Sequence, residues 1–459
     1  MSRVDRSRLP VPGADRPFHF PRLARRRLAN GLELRAATHR SVPIVSMVLL
    51  VPGGSSVNPP GMPGLASMLA GLLDEGSRGQ SALDVADRVA RIGGDLDLET
   101  GSDAHVISFT TLDRFFDTGV SLIHEIVTAP NLTPEDFNRV RNHRVERLRQ
   151  IKDHAAAVAD RAFAQTLYAT HPYGSPGVGT EAALSAMTAD DVRALHAALL
   201  VPAGSTLIVV GDRPEEELLD TVEKTFAGWQ AGPATMTIDR AAALVPPPAM
   251  PVARLAVVSR PGAAQSELRI GHACAARSTP DYHALLTLNN VLGGAFVSRL
   301  NLNLREAKGY TYGVRTGFEL RRGIGPFVMQ TSVATSATAD AVRESLKELG
   351  DIAGARPVTP DELSMAKDSV SKGYPRGFET ASQVARSIAQ LALHGLPDSY
   401  FEDFIPQLTA ITAADVTRAA QKYLDLGRMT TVVVGDLDTI SGPLASLQLG
   451  EPRVVRPEF

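Results

Sequence analysis

Two kinds of hydrophobic pattern alternate along the chain. Val42 to Val51 and Met429 to Val434 are nearly unbroken aliphatic and β-branched runs, the composition of strands. Ser81 to Ile92 and Asp340 to Ile352 instead return an apolar residue every three or four positions, the spacing of an amphipathic helix. Thr188 with Asp191, and Thr412 with Asp415, have the spacing of helix N-caps, in which a hydroxyl oxygen accepts from free backbone N–H groups. Strands and helices interleaved in this way predict an α+β fold, a mainly antiparallel sheet with helices packed on one face.

The pattern occurs twice. Leu184 to Val192 is echoed by Leu408 to Val416, and the run ending in Gly211 and Asp212 by the run ending in Gly435 and Asp436, both at an offset of 224. A third echo, Leu132 to Phe137 against Val358 to Leu363, lies at 226. Two homologous domains are therefore expected, residues 25–235 and 253–440. The segment 236–252 between them holds Pro246, Pro247, Pro248 and Pro251 and reads as a stiff, extended linker. Residues 1–24, rich in arginine and broken by Pro10, Pro12, Pro17 and Pro21, are expected as an extended tail, and 441–459 as a second tail.

Composition narrows the classes of function. At 459 residues the chain is longer than one ordinary domain. Lys and Arg total 47 against 50 Asp and Glu, which removes the electrostatic case for a nucleic-acid binder. No apolar run approaches the roughly 18 residues of a membrane span, and no continuous apolar stretch marks an export signal, so a cytoplasmic location is expected. Cys274, the one cysteine, excludes an internal disulfide and any cysteine-based zinc or iron–sulfur centre.

Several segments carry a resemblance in a fixed order. Leu28 to Leu34 with Asn30-Gly31, then Pro52-Gly53-Gly54-Ser55, then Gly64 to Gly76 resemble the amino-terminal half of the M16 metallopeptidases, the family of pitrilysin, insulinase and the mitochondrial processing peptidases. The likeness continues through Phe226 to Trp229, through Gln265, and through Leu292-Gly293-Gly294 to Ser298-Arg299-Leu300. It implies a duplicated fold in which the chain forms half of a clam-like heterodimer.

Members of that family that hydrolyse peptides carry His-x-x-Glu-His on a helix, here expected from about Pro63 to Asp74, and a distal Glu about 76 residues later. Two imidazoles at i and i+4 share one helix face and bind zinc, while the intervening Glu activates the metal-bound water. This chain has Ser67, Ala70 and Gly71 at those places, and the distal position falls at Arg147, with Glu146 one residue short. The resemblance thus implies no metal in this chain. His143 with Glu146 begins like the motif but lacks the second His, and His124 with Glu125 reads as a solvated pair on an amphipathic helix.

The second half keeps what the first has lost. In the family, an Arg followed seven positions later by a Tyr reaches across the cleft, and Arg305 and Tyr312 have that spacing, whereas Tyr310 does not. A guanidinium and a phenol O–H are suited to hold a peptide carbonyl and stabilise the oxyanion formed when water attacks it. By resemblance the chain is the zinc-less subunit of a peptidase pair, contributing Arg305 and Tyr312 in trans to a partner that carries His-x-x-Glu-His and the zinc. Two readings from other classes remain open: a silent scaffold subunit like the core proteins of respiratory complexes, and a peptide-binding module that adds an extended peptide to a sheet edge.

Overall fold

The computed structural model describes residues 18–459, so most of the expected amino-terminal tail lies outside the described residues. Two six-stranded mixed sheets dominate it. The first comprises β1 (Ala24–Arg27), β2 (Glu33–Thr38), β3 (Ile44–Pro52), β6 (Asp95–Thr100), β7 (Ala104–Leu112) and β8 (Thr206–Gly211); β4 (Gly76–Ser77) and β5 (Gln80–Ser81) form a separate small hairpin. The second comprises β9 (Leu255–Ser259), β10 (Gln265–Ala275), β11 (Val314–Phe318), β12 (Gly325–Ala334), β13 (Thr430–Gly435) and β14 (Arg453–Val454).

Strand order exposes the duplication. The first sheet runs β1-β2-β8-β3-β7-β6 and the second, read from the same side, β14-β9-β13-β10-β12-β11. β8 lies parallel to β2 and antiparallel to β3; β13 lies parallel to β9 and antiparallel to β10. Val209 and Val433, separated by 224 residues, therefore occupy equivalent strands. The caps repeat too: Thr133, Thr188, Thr359 and Thr412 each accept from the backbone N–H three residues on.

Helices cover one face of each sheet, and each half also lends a helix to the other's second face. Helix Ala155–Tyr168 of the first half crosses β10 and β13, and helix Ala381–His394 of the second crosses β3 and β8. Val384, Ile388 and Leu391 of the latter are fully buried against Val48, Leu50, Ile208 and Val210. Deleting one such side chain to Ala costs roughly 2–5 kcal/mol. This exchange explains why β8 and β13 are buried along their whole length, which a continuous apolar run permits and an alternating one would not. Ion pairs fasten the exchanged helices. Arg386 reaches Asp97 at 2.7 Å and Glu99 at 3.1 Å, and Arg269 meets Asp160 at 2.6 Å.

The expected linker and the expected second tail are both anchored. Within 236–252, Arg240 donates to the carbonyls of Pro52 and Leu199, and a short helical turn, Ala242–Leu244, buries its central Ala243. The final segment is no free tail, because it completes helix Leu437–Ala445 and then adds β14 to the edge of the second sheet. Arg161 clasps it, donating to the Glu458 carbonyl and stacking on the Phe459 ring at 4.3 Å.

Candidate functional site

The degenerate metal motif sits beside the free edge of the first sheet. The helix there is shorter than expected, Leu65–Ala70, with Gly71 as its cap and turns running to Asp74. Ser67, Ala70 and Gly71 line a cavity of about 440 Å³ with Asp74, Leu96, Asp97, Leu98, Thr100 and Arg144. Partial desolvation pushes the Asp74 carboxyl above its ordinary range. The Ser67 hydroxyl donates to the Gly177 carbonyl at 2.6 Å.

Arg144, rather than Arg147, is the residue of helix Pro134–Asp153 that reaches this place. Phe137, Val140 and Leu148 form that helix's buried stripe, and Arg144 falls on it at helical spacing, whereas Arg147 and Glu146 are exposed. The Arg144 guanidinium donates to the Ser67 carbonyl, which also accepts from the Gly71 N–H at the end of the short helix. A Cβ on Gly71 would come within 2.5 Å of Arg144 Nη2, so the absence of a side chain at 71 is what admits the guanidinium. Arg144 Nε is buried without a partner among the described residues, and desolvation lowers the group's pKa. A zinc ion does not fit these residues. They supply the Ser67 and Thr100 hydroxyls, both already engaged, and two carboxylates, of which Asp97 is held by Arg386, but no imidazole or thiolate, and a fixed cation stands in the same cavity. The signal for Arg144 was present in the sequence as a charge on an apolar stripe; counting 76 residues from Gly71 passed over it.

The equivalent region of the second half is built differently. Where the first half has helix Leu65–Ala70 packed on β6, the second has a π-helical turn, Asn290–Gly294, packed on β11. A Cβ on Gly293 would fall 2.8 Å from the Thr316 side chain and 3.1 Å from its backbone nitrogen, so this close approach requires glycine. A second π-helical segment, Asn301–Ala307, carries Arg305. Such turns are rare and recur at functional sites. Asn301 fastens the assembly: its Oδ1 accepts from Val314 N–H at 2.8 Å, and its Nδ2 donates to Val314 O at 3.0 Å and to Ser298 Oγ at 3.0 Å.

Arg305 and Tyr312 line one cavity of about 560 Å³. The guanidinium lies over the Phe296 ring at 3.9 Å, a cation–π contact, and meets Glu306 at 3.0 Å. Tyr312 is 93% exposed, and its hydroxyl has no partner among the described residues. Residues 309–313 are not a strand, so alternation does not put Tyr310 beside Tyr312; Tyr310 packs against the second core instead. Phe296, 70% exposed, and Leu302, 50% exposed, add an apolar surface that the sequence reading had not singled out. Behind it, Arg299 of the Ser298-Arg299-Leu300 motif is structural. It grips Glu362 with two bonds of 2.7 Å and holds that carboxyl down at about 2.

His124 and His143 do not meet in a site. His124 packs edge-on against Phe226, and Glu125 pairs with Arg88 at 2.8 Å. Among the described residues, no group of three or more His, Cys, Asp or Glu side chains is placed to hold a metal, and no helix is long and apolar enough to cross a membrane.

A duplicated α+β fold with a metal-motif helix at one sheet edge and an arginine–tyrosine pair in the matching place of the other half defines the class of the M16-type peptidases. Comparison with known proteins agrees. The family model for insulinase-type M16 peptidases matches residues 35–181, and that for the peptidase M16 inactive domain matches residues 186–370. The chain belongs to the M16 family. A Streptomyces coelicolor protein named as an uncharacterized zinc protease is 23% identical over 423 residues, 89% of each chain. A Helicobacter pylori protein named as a non-peptidase homolog is 20% identical over 430 residues, 88% of this chain and 96% of its own. Among solved structures, the peptidase M16 inactive domain from Pseudomonas fluorescens superposes with a TM-score of 0.83 at 24% identity, over 90% of this chain and 98% of that one.

Proposed function

We propose that this chain is the non-zinc subunit of a heteromeric M16 peptidase, supplying Arg305 and Tyr312 to peptides hydrolysed at a partner's His-x-x-Glu-His centre. The observation that carries this reading is Tyr312, 93% exposed and with no hydroxyl partner among the described residues, in one cavity with an arginine that lies over Phe296. A packing role would bury the phenol or bond its hydroxyl. In the complex, zinc in the partner would activate the attacking water. This chain's part is to bind the peptide, to donate the Tyr312 O–H to the scissile carbonyl oxygen and to set the Arg305 charge beside the oxyanion as it forms. The exposed Phe296, Val297 and Leu302 suit the apolar contacts of a partner or peptide.

The purified chain should hold no stoichiometric zinc by metal analysis and cleave no peptide alone. Co-expressed with zinc-bearing M16 chains of its source organism, it should raise peptide hydrolysis. About one zinc per purified chain, with peptidase activity lost on chelation, would refute the reading.

One observation favours peptide binding in the first cleft as well. β6 is an edge strand whose backbone is paired only with β7 among the described residues, and it forms a wall of the cavity beside Ser67, so an extended peptide has a free ladder to join. Peptide capture without hydrolysis beside any zinc-bearing partner would leave this as the chain's role.

A further inference from the structure

The sheet beneath Arg305 and Tyr312 carries a cation that the hydrolytic role does not use. Side chains alternate along β11, so Val314 and Thr316 are buried while Arg315 stands exposed on the other face. Arg315 lies directly across from Gln330 on β12, and Gln330 directly across from Arg269 on β10, so the three make one row. Glu267 and Ser332, opposite each other two residues along, lie on the same face. All five line the Arg305–Tyr312 cavity.

Two of its three arginines already have carboxylates. Arg269 is shared between Asp160 at 2.6 Å and Glu267 at 3.1 Å, and Arg305 has Glu306 at 3.0 Å. Lys308, on the adjoining segment, is 3.7 Å from Glu344. Arg315 makes no ion pair or side-chain hydrogen bond among the described residues, and neither does the Gln330 amide beside it. A ligand cannot reach this floor by joining the edge of β11 at Val314, because Asn301 already satisfies both backbone groups there. It must enter with a side chain.

We propose that this cavity takes an acidic side chain of the bound peptide, its carboxylate seated between the Arg315 guanidinium and the Gln330 amide. The inference rests on the reading that the second cleft binds peptide, and it names the peptide's chemistry. A guanidinium with a neighbouring amide donor matches a carboxylate in charge and in fork geometry. Tyr312 and Arg315 are three residues apart, a Cα span of at most about 11 Å, which puts the acidic residue near the carbonyl that Tyr312 contacts.

The test needs only the purified chain. Labelled peptides in which one Glu is walked along an otherwise neutral sequence are titrated by fluorescence anisotropy against their Gln counterparts. The Glu peptide of correct placement should bind roughly tenfold more tightly, a preference of about 1.4 kcal/mol that shrinks with added salt. Arg315→Gln should abolish the preference, and Arg315→Glu should turn it toward Lys. Equal affinity for Glu and Gln peptides at every position, or a preference that survives Arg315→Gln, overturns the inference and leaves peptide binding standing. Absence of binding by any peptide overturns both.

Discussion

The two clefts descend from one arrangement and have diverged in opposite directions. Each places a short helical element against an edge strand, helix Leu65–Ala70 on β6 and turn Asn290–Gly294 on β11. In the first, reactive side chains are gone, a guanidinium from the neighbouring helix fills the space above Gly71, and the strand edge stays free. In the second, Asn301 closes the edge at Val314 while Arg305 and Tyr312 project into the cavity. On the proposed function, backbone recognition falls to the first half and side-chain chemistry to the second.

The sharpest way to break that comparison is to mutate both clefts within an active complex. Arg305→Ala or Tyr312→Phe should lower kcat about 10²- to 10³-fold with the complex still assembled, the usual loss for one donor to an oxyanion, and KM should move less. Ser67→Ala in the first cleft should leave kcat unchanged. If Arg305 and Tyr312 variants keep full activity, the asymmetry has no catalytic meaning and a scaffold role is the better account.

Acid should act on both halves together. His105 in the first sheet and His283 and His394 in the second half are all held near 4 by burial, against about 6.5 when unfolded. As pH falls below 6.5 the unfolded chain takes up protons that these imidazoles refuse. Their contribution is therefore complete above pH 6.5 and lost progressively toward pH 4, by up to about 3 kcal/mol for a fully buried group. Urea midpoints measured from pH 7 to pH 5 should fall in a single transition, because the exchanged helices Ala155–Tyr168 and Ala381–His394 tie the halves together. Two separate transitions would show the halves to be energetically independent.

Gly71 and Gly293 offer a finer contrast. Gly71→Ala should cost about 1–3 kcal/mol by displacing the Arg144 guanidinium, and Arg144→Met should remove most of that cost in a double-mutant cycle. Gly293→Ala meets the Thr316 side chain and then its backbone nitrogen, so trimming Thr316 should relieve only part of the cost. The smallest expected effect is that of Tyr310→Phe, within about 0.5 kcal/mol by urea unfolding and without change in kcat, since this ring packs on the core rather than into the cleft.

The duplicated fold was legible in the sequence because its signals are local. Threonine caps, apolar runs and their common offset of 224 need only neighbouring residues to be read, and they map onto equivalent strands and helix starts. Arg305 and Tyr312 were named from the family resemblance, and they line one cavity seven residues apart. The identity of the cation in the first cleft was not legible. Arg144 and Gly71 lie on different helices, and which arginine of helix Pro134–Asp153 faces inward depends on how that helix is rotated by burial of Phe137, Val140 and Leu148. The helix exchange, the docking of the last residues along β9 and the closure of β11 by Asn301 likewise depend on long-range contacts. Local pattern determined what the elements are; only packing decided which side chains meet, because a side chain's partner is set by the rotation and register of whole elements.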